Sequence, residues 1–131
     1  GAKAEKAQAT SKMEWVLGGR YIQQTYSSEW HGQPFNGVGT LAYNNMTGEY
    51  ESTWMDNMST GIMYAAGSFD GKTKTLHDEG TFSCPATGEK HRPFRSAWNL
   101  KKKNKLVFAV YHNDENGKEF KTMELTYKRK K

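Results

Sequence analysis

Turn-forming clusters recur at short, even intervals along this chain, and that spacing constrains the fold more than any other feature. Gly18-Gly19, Asn44-Asn45-Met46-Thr47-Gly48, Asp70-Gly71-Lys72-Thr73, Pro85-Ala86-Thr87-Gly88 and Asn113-Asp114-Glu115-Asn116-Gly117 are all built from residues that tolerate left-handed backbone or preset a bend. Between them apolar and polar residues alternate with the period of two that places strand side chains on opposite faces. No segment carries a helical period. Short alternating strands joined by tight turns predict an all-β, up-and-down antiparallel β-barrel of about nine strands.

The expected strands run over residues 13–17, 20–30, 37–43, 50–56, 62–69, 74–84, 91–99, 106–112 and 119–128, with the Pro34-containing segment 31–36 breaking the second from the third. The stretch Tyr50 to Gly61 sets the register. Placing Tyr43 opposite Tyr50 brings Leu41 to Ser52, Gly39 to Trp54 and Gly37 to Asp56, and turning the chain through Asp56 to Gly61 puts Met63 beside Trp54. One face then holds Leu41, Tyr43, Ser52, Trp54, Asp56, Met63, Leu76, Asp78, Phe82, Phe108, Met123 and Leu125, and this is the predicted interior.

With 131 residues the chain fits one domain. Residues 1–7 have no apolar face and read as a disordered or tag-derived start, leaving 8–131 as a single β-barrel domain with a basic C-terminal tail. Its hydrophobic content of 35% is low for a helical bundle and suits strands with one wet face, while 13% aromatic residues supply bulk for the other. The lone Cys84 excludes an internal disulfide and reads as a buried small hydrophobe. No apolar run reaches the length of a membrane span, so no membrane partner is expected. Localisation is left unknown, cytoplasmic if the chain is complete at its N-terminus. The net charge of +5 gathers in Lys101-Lys102-Lys103 with Lys105 and in Lys128-Arg129-Lys130-Lys131. These runs lie apart from the aromatic strands and read as solvated charge, with nonspecific nucleic-acid binding as the alternative and no specific nucleic-acid partner.

Several separate motifs, in order, carry a resemblance: Trp15 through Tyr21, Gln33-Pro34-Phe35 with Gly37, Tyr43, Ser52 through Gly61, and Gly117-Lys118-Glu119-Phe120-Lys121. In these the chain resembles the bacterial proteins of the domain of unknown function 1579 family, over nearly all of its length after Thr10. The resemblance implies a calycin-like barrel, the shape of lipocalins and fatty-acid-binding proteins, and no established activity or site. Members of that family have an earlier Trp-bearing strand ahead of the first hairpin, which has no counterpart here. A sheet lacking that strand is expected to leave edges at Met13 to Leu17 and at Glu119 to Tyr127, and to pair them in a homodimer.

The residues themselves favour a binding module over an enzyme. An apolar interior with a few polar anchors is the common form of a small-molecule site, and Tyr43, Ser52, Trp54, Asp56, Met63, Asp78, Arg92, Phe94, Lys121 and Met123 are its predicted lining for a small, largely apolar ligand. By strand parity Arg92 and Lys121 are the cations able to meet the interior carboxylates Asp56 and Asp78. Beside its turn, Asp56 also reads simply as a cap on backbone amides, and Arg92 as a surface group. The rival is an isomerase- or hydrolase-type barrel enzyme using Asp56, or His77 and Glu79 as an acid-base pair. His31, His91 and His112 sit on separate segments with no metal-ligand spacing and read as surface histidines, so no metal, cofactor or catalytic residue is predicted. Cys84 has no neighbouring base, and Met55, Met58 and Met63 read as core filler or as lining of an adaptable pocket.

Overall fold

In the computed structural model, residues 9–30 and 32–129 are described, and they form nine antiparallel strands with no helix. The predicted frayed start, His31 and the last two lysines lie outside the described residues. The strands are β1 (Ala9–Val16), β2 (Tyr21–Trp30), β3 (Gln33–Asn44), β4 (Glu49–Asp56), β5 (Met63–Asp70), β6 (Thr75–Phe82), β7 (Arg92–Asn99), β8 (Lys105–Asn113) and β9 (Glu119–Lys128). Each pairs with its sequence neighbour, in the order β1 to β9. The sheet curls into a half-barrel whose outer strands, β1 and β9, are not hydrogen-bonded to each other among the described residues.

The register around β4 follows the expected counting: Tyr43 faces Tyr50, Leu41 faces Ser52, Gly39 faces Trp54, Gly37 faces Asp56, and Met63 faces Trp54. The cause is steric. A Cβ at Gly39 would stand 3.1 Å from Trp54 Cε3, and one at Gly37 would overlap the far edge of the same indole, so the ring lies flat across two bare backbone positions.

Two expectations are corrected. Pro34 does not break a strand: it lies inside β3 opposite Glu29, so only residues 31 and 32 join β2 to β3, with Gly32 at φ +77°. A proline near the start of a strand removes one ladder donor without ending the pairing. The second correction concerns Lys121. The β8–β9 register slips between Val110 and Tyr111, so that Val110 faces Met123 but Tyr111 faces Lys121, and Thr122 is the extra residue. A bulge of one residue reverses side-chain parity. Lys121 therefore joins the outer face, its Nζ 6.0 Å from the Tyr111 ring centroid and 3.1 Å from Glu124 Oε1.

The aromatic residues gather on the inner face. Tyr26 meets Phe35 and Trp54 edge-on at 5.9 Å, Phe82 meets Phe94 at 6.0 Å, and Trp98 packs on Phe108 at 4.2 Å and Tyr127 at 6.2 Å. The outer face is polar. There Arg95 forks onto Glu119 at 2.7 and 3.0 Å and lies 4.1 Å from the Tyr111 ring centroid.

Gln24 bridges toward the open seam, its Nε2 donating to Ser11 Oγ on β1 at 2.9 Å and to the Tyr127 hydroxyl on β9 at 3.4 Å. Burial pushes the Tyr127 phenol up to about 12. Since its folded pKa lies above the ordinary 10.0, its contribution to stability is complete below pH 10 and is lost as the pH rises through about 12. Tyr127→Phe is expected to cost about 0.5–1.5 kcal/mol, the net value of one hydrogen bond. Urea denaturation at pH 7 measures it, and absorbance titration should show the variant lacking the latest-titrating tyrosine.

Candidate functional site

The inner face receives most of the predicted lining and spreads it from rim to rim. Tyr43 lies at one rim, its ring 5.0 Å from that of Tyr50. Toward the β4–β5 turn, Trp54 stands over the β3 glycines with Met63 beside it, and Phe94 is buried on β7 against Phe82. Arg92 lies at the opposite rim. Met123 sits next to the open seam and is 43% exposed.

The polar groups of this face are already engaged with one another. Trp54 Nε1 donates to Asp56 Oδ2 at 2.9 Å, while Asp56 Oδ1 accepts the Met58 amide at 3.0 Å. Asp56 thus caps the turn after β4 and orients the indole. Asp78 is buried, with Oδ2 accepting the Ser52 hydroxyl at 3.3 Å and Oδ1 accepting the Ser96 hydroxyl. Ser52 reaches across β5 because the positions between them are Ala65 and Gly67. Burial raises the Asp78 carboxyl above its ordinary value, partly offset by the two serines. Neither Arg92 nor Lys121 meets either carboxylate: Lys121 faces outward, and Arg92 is engaged at the rim.

At that rim, an open cleft of about 860 Å³ is lined by Thr87, Glu89, Arg92, Pro93, the 113–116 turn and Phe120. Arg92 Nε stands 3.9 Å from Glu89 Oε1, and its Nη1 is 3.6 Å from the Cys84 sulfur. Cys84 is buried as expected, but it is no inert hydrophobe. Hydrogen bonds from the Thr87 side chain and backbone, then from Arg92, lower its thiol to about 7. The sequence offered no sign of this because Thr87 reaches the sulfur only through the turn after β6. Alkylation by iodoacetamide is expected to show a midpoint near pH 7, moving upward toward 9 in Arg92→Met; a midpoint unchanged by that substitution would contradict the contact.

His112 differs from its expected place on the surface. It belongs to the inner face, stacked on Phe82 at 5.3 Å and edge-on to Phe120 at 6.5 Å, and burial followed by the Arg92 charge lowers its pKa. Counting by twos from Phe108 along β8 puts His112 on this face, and the bulge in β9 brings Phe120 opposite it. His77 and Glu79 lie on the outer face, on positions opposite Ser68 and Ala66. His77 Nδ1 is 3.5 Å from Arg95 Nη1, and the described residues contain no cluster of three potential metal ligands.

The sequence model for the family described as "Protein of unknown function (DUF1579)" matches residues 1–129. The chain belongs to the DUF1579 family. No curated protein and no solved structure matches it. For this DUF1579 member the inner face and its rim cleft are therefore read on their own chemistry. Aromatic surface, paired polar groups and a single inward-facing guanidinium at the mouth can hold a small molecule by apolar contact.

Proposed function

We propose that this protein is a non-catalytic binding module that holds a small, largely apolar molecule against the inner face of the curled sheet. One observation carries the reading: apolar side chains on that face stay open to solvent although the polar groups between them are satisfied. Met13 is 44% exposed, Tyr43 55%, Phe69 41% and Met123 43%. Burying such surface is favourable by about 25 cal/mol per Å², and an apolar ligand supplies the cover without leaving a carboxylate unpaired. A calycin-like relationship and entry of the ligand past Arg92 at the mouth are consistent with this reading.

The enzyme alternative finds less support. Asp56 has both oxygens occupied by Trp54 and the Met58 amide, and His77 and Glu79 stand on the opposite side of the sheet from the aromatic lining. The β1 and β9 edges, not hydrogen-bonded to each other among the described residues, favour a second feature of the proposal, a homodimer in which two copies pair their edges isologously. Light scattering at micromolar protein tests it; a monomer with β1 and β9 amides protected from exchange would contradict it.

Native mass spectrometry and displacement of a fluorescent fatty acid test binding. Saturable one-to-one occupancy is expected, weakened at least tenfold in Trp54→Ala, which removes a tryptophan ring from that face. Absence of saturable binding by probes of several shapes would overturn the proposal.

A further inference from the structure

A nine-strand meander sends alternate turns to opposite ends, and in this protein the two ends differ in charge. The turns after β1, β3, β5 and β7 share one end and contain Arg20, Lys72, Lys74 and Lys101–Lys103, with no acidic residue. The described turns at the other end carry Glu89, Asp114 and Glu115 against Lys90 and Lys118. Asp70 and Glu49, on strand ends next to the basic turns, are outnumbered there by Lys105, Lys128 and Arg129. Backbone bonds tie the most basic of these turns together: the Leu100 amide donates to Lys74 O at 2.8 Å, joining the turns after β5 and β7, and the Arg129 amide donates to Asn104 O at 2.9 Å, joining the latter to the end of β9. Separate lysine runs in the sequence thus become one basic end.

Apolar tips project from the same end. Leu17 is 74% exposed, Met46 89% and Leu100 49%. Leu17 is held at φ +53°, a conformation that a leucine seldom adopts. Trp15, 67% exposed, stands just behind it.

We infer that this basic end docks on a negatively charged lipid surface, the lysines facing the headgroups and Leu17 and Met46 inserting between them. Lysines combined with protruding aliphatic residues match an anionic interface, where charge attracts and apolar tips anchor. A nucleic acid would use the lysines but gains little from aliphatic tips, since strand binding relies on stacking. That no helix among the described residues is long and apolar enough to cross a membrane does not bear on such surface contact. The inference is independent of what occupies the inner face.

The test is co-sedimentation of the full chain with vesicles of phosphatidylcholine alone or mixed with phosphatidylglycerol, in about 0.1 M salt. Binding is expected only with the anionic vesicles. Lys101→Glu/Lys102→Glu/Lys103→Glu should weaken it at least about a hundredfold, since each lysine near such a surface contributes roughly fivefold. Leu17→Asn/Met46→Ser should weaken it about tenfold, as expected for partial burial of two apolar side chains. Unchanged thermal melting confirms that both variants remain folded. No binding to anionic vesicles would overturn the inference. So would loss with the lysine variant but not with the tip variant, and competition by duplex DNA in that case would identify a general polyanion surface instead.

Discussion

Gly67→Ala is expected to destabilise the protein by about 3 kcal/mol, the upper part of the usual range for overpacking, whereas Gly61→Ala changes it by less than about 0.5 kcal/mol. Gly61 lies just before β5 and Gly67 within it, yet their surroundings differ. A Cβ on Gly67 would stand 2.5 Å from the Asp78 Cα and closer still to the His77 carbonyl oxygen, both parts of the neighbouring β6 backbone. Backbone cannot swing aside as a side chain can, so β5 and β6 must separate and loosen the ladder between them. A Cβ on Gly61 meets nothing within 4 Å. For a domain with total stability of about 5–15 kcal/mol the first substitution is a large fraction, corresponding to a fall of roughly 10 °C in Tm. Differential scanning calorimetry of the two variants measures the contrast. Equal melting temperatures would show that β5 and β6 do not approach as closely as this.

Ser96→Ala is expected to cost about 1–3 kcal/mol at pH 7, because it strips a hydroxyl donor from a buried carboxylate. The cost should shrink as the pH falls toward 4. Burial holds the folded pKa of Asp78 above the ordinary 3.8, so the charged form is penalised in the folded state. Below 3.8 both folded and unfolded chains carry the proton and the penalty vanishes. As the pH rises from 3.8 through the raised folded pKa, this group's contribution to stability declines, and it stays low above that window. Removing Ser96 raises the folded pKa further and deepens the decline. Asp78→Asn keeps an acceptor for the serines and loses the charge, so its stability should be flat over the same window. Urea denaturation at pH 4, 5.5 and 7 distinguishes the three proteins. A Ser96→Ala cost independent of pH would mean that Asp78 is not the titrating group.

The Trp54 neighbourhood was legible before any coordinates because its determinants are local. Gly37 and Gly39 on one strand and Trp54 on the next are related by counting from a single turn, and the residues Asn44 to Gly48 announce that turn. Parity then placed Ser52, Asp56, Met63 and Asp78 on the same face. The same counting failed for Lys121, since one extra residue at Thr122 reverses the pattern and a bulge has no strong sequence signature. His112 was misplaced although counting by twos from Phe108 puts it inside, since a histidine on a short strand looks the same whether its neighbours are water or Phe82 and Phe120. The interior cation expected for Asp56 and Asp78 was an error of a different kind. Asp56 instead caps the Met58 amide, as the turn reading of that residue had it, and takes the Trp54 indole two positions away, whereas the Ser52 and Ser96 hydroxyls reach Asp78 from other strands.

The sequence by itself determined the strand number, the neighbour-to-neighbour order and the division into an aromatic and a polar face, because alternation and turn chemistry act over a few residues. Only the tertiary structure decided how the sheet curls and that β1 and β9 leave a seam spanned by Gln24 and Tyr127. It also gathered lysines from turns far apart in sequence onto one end. Those outcomes depend on twist accumulated over nine strands and on contacts between residues widely separated along the chain, which no local pattern encodes.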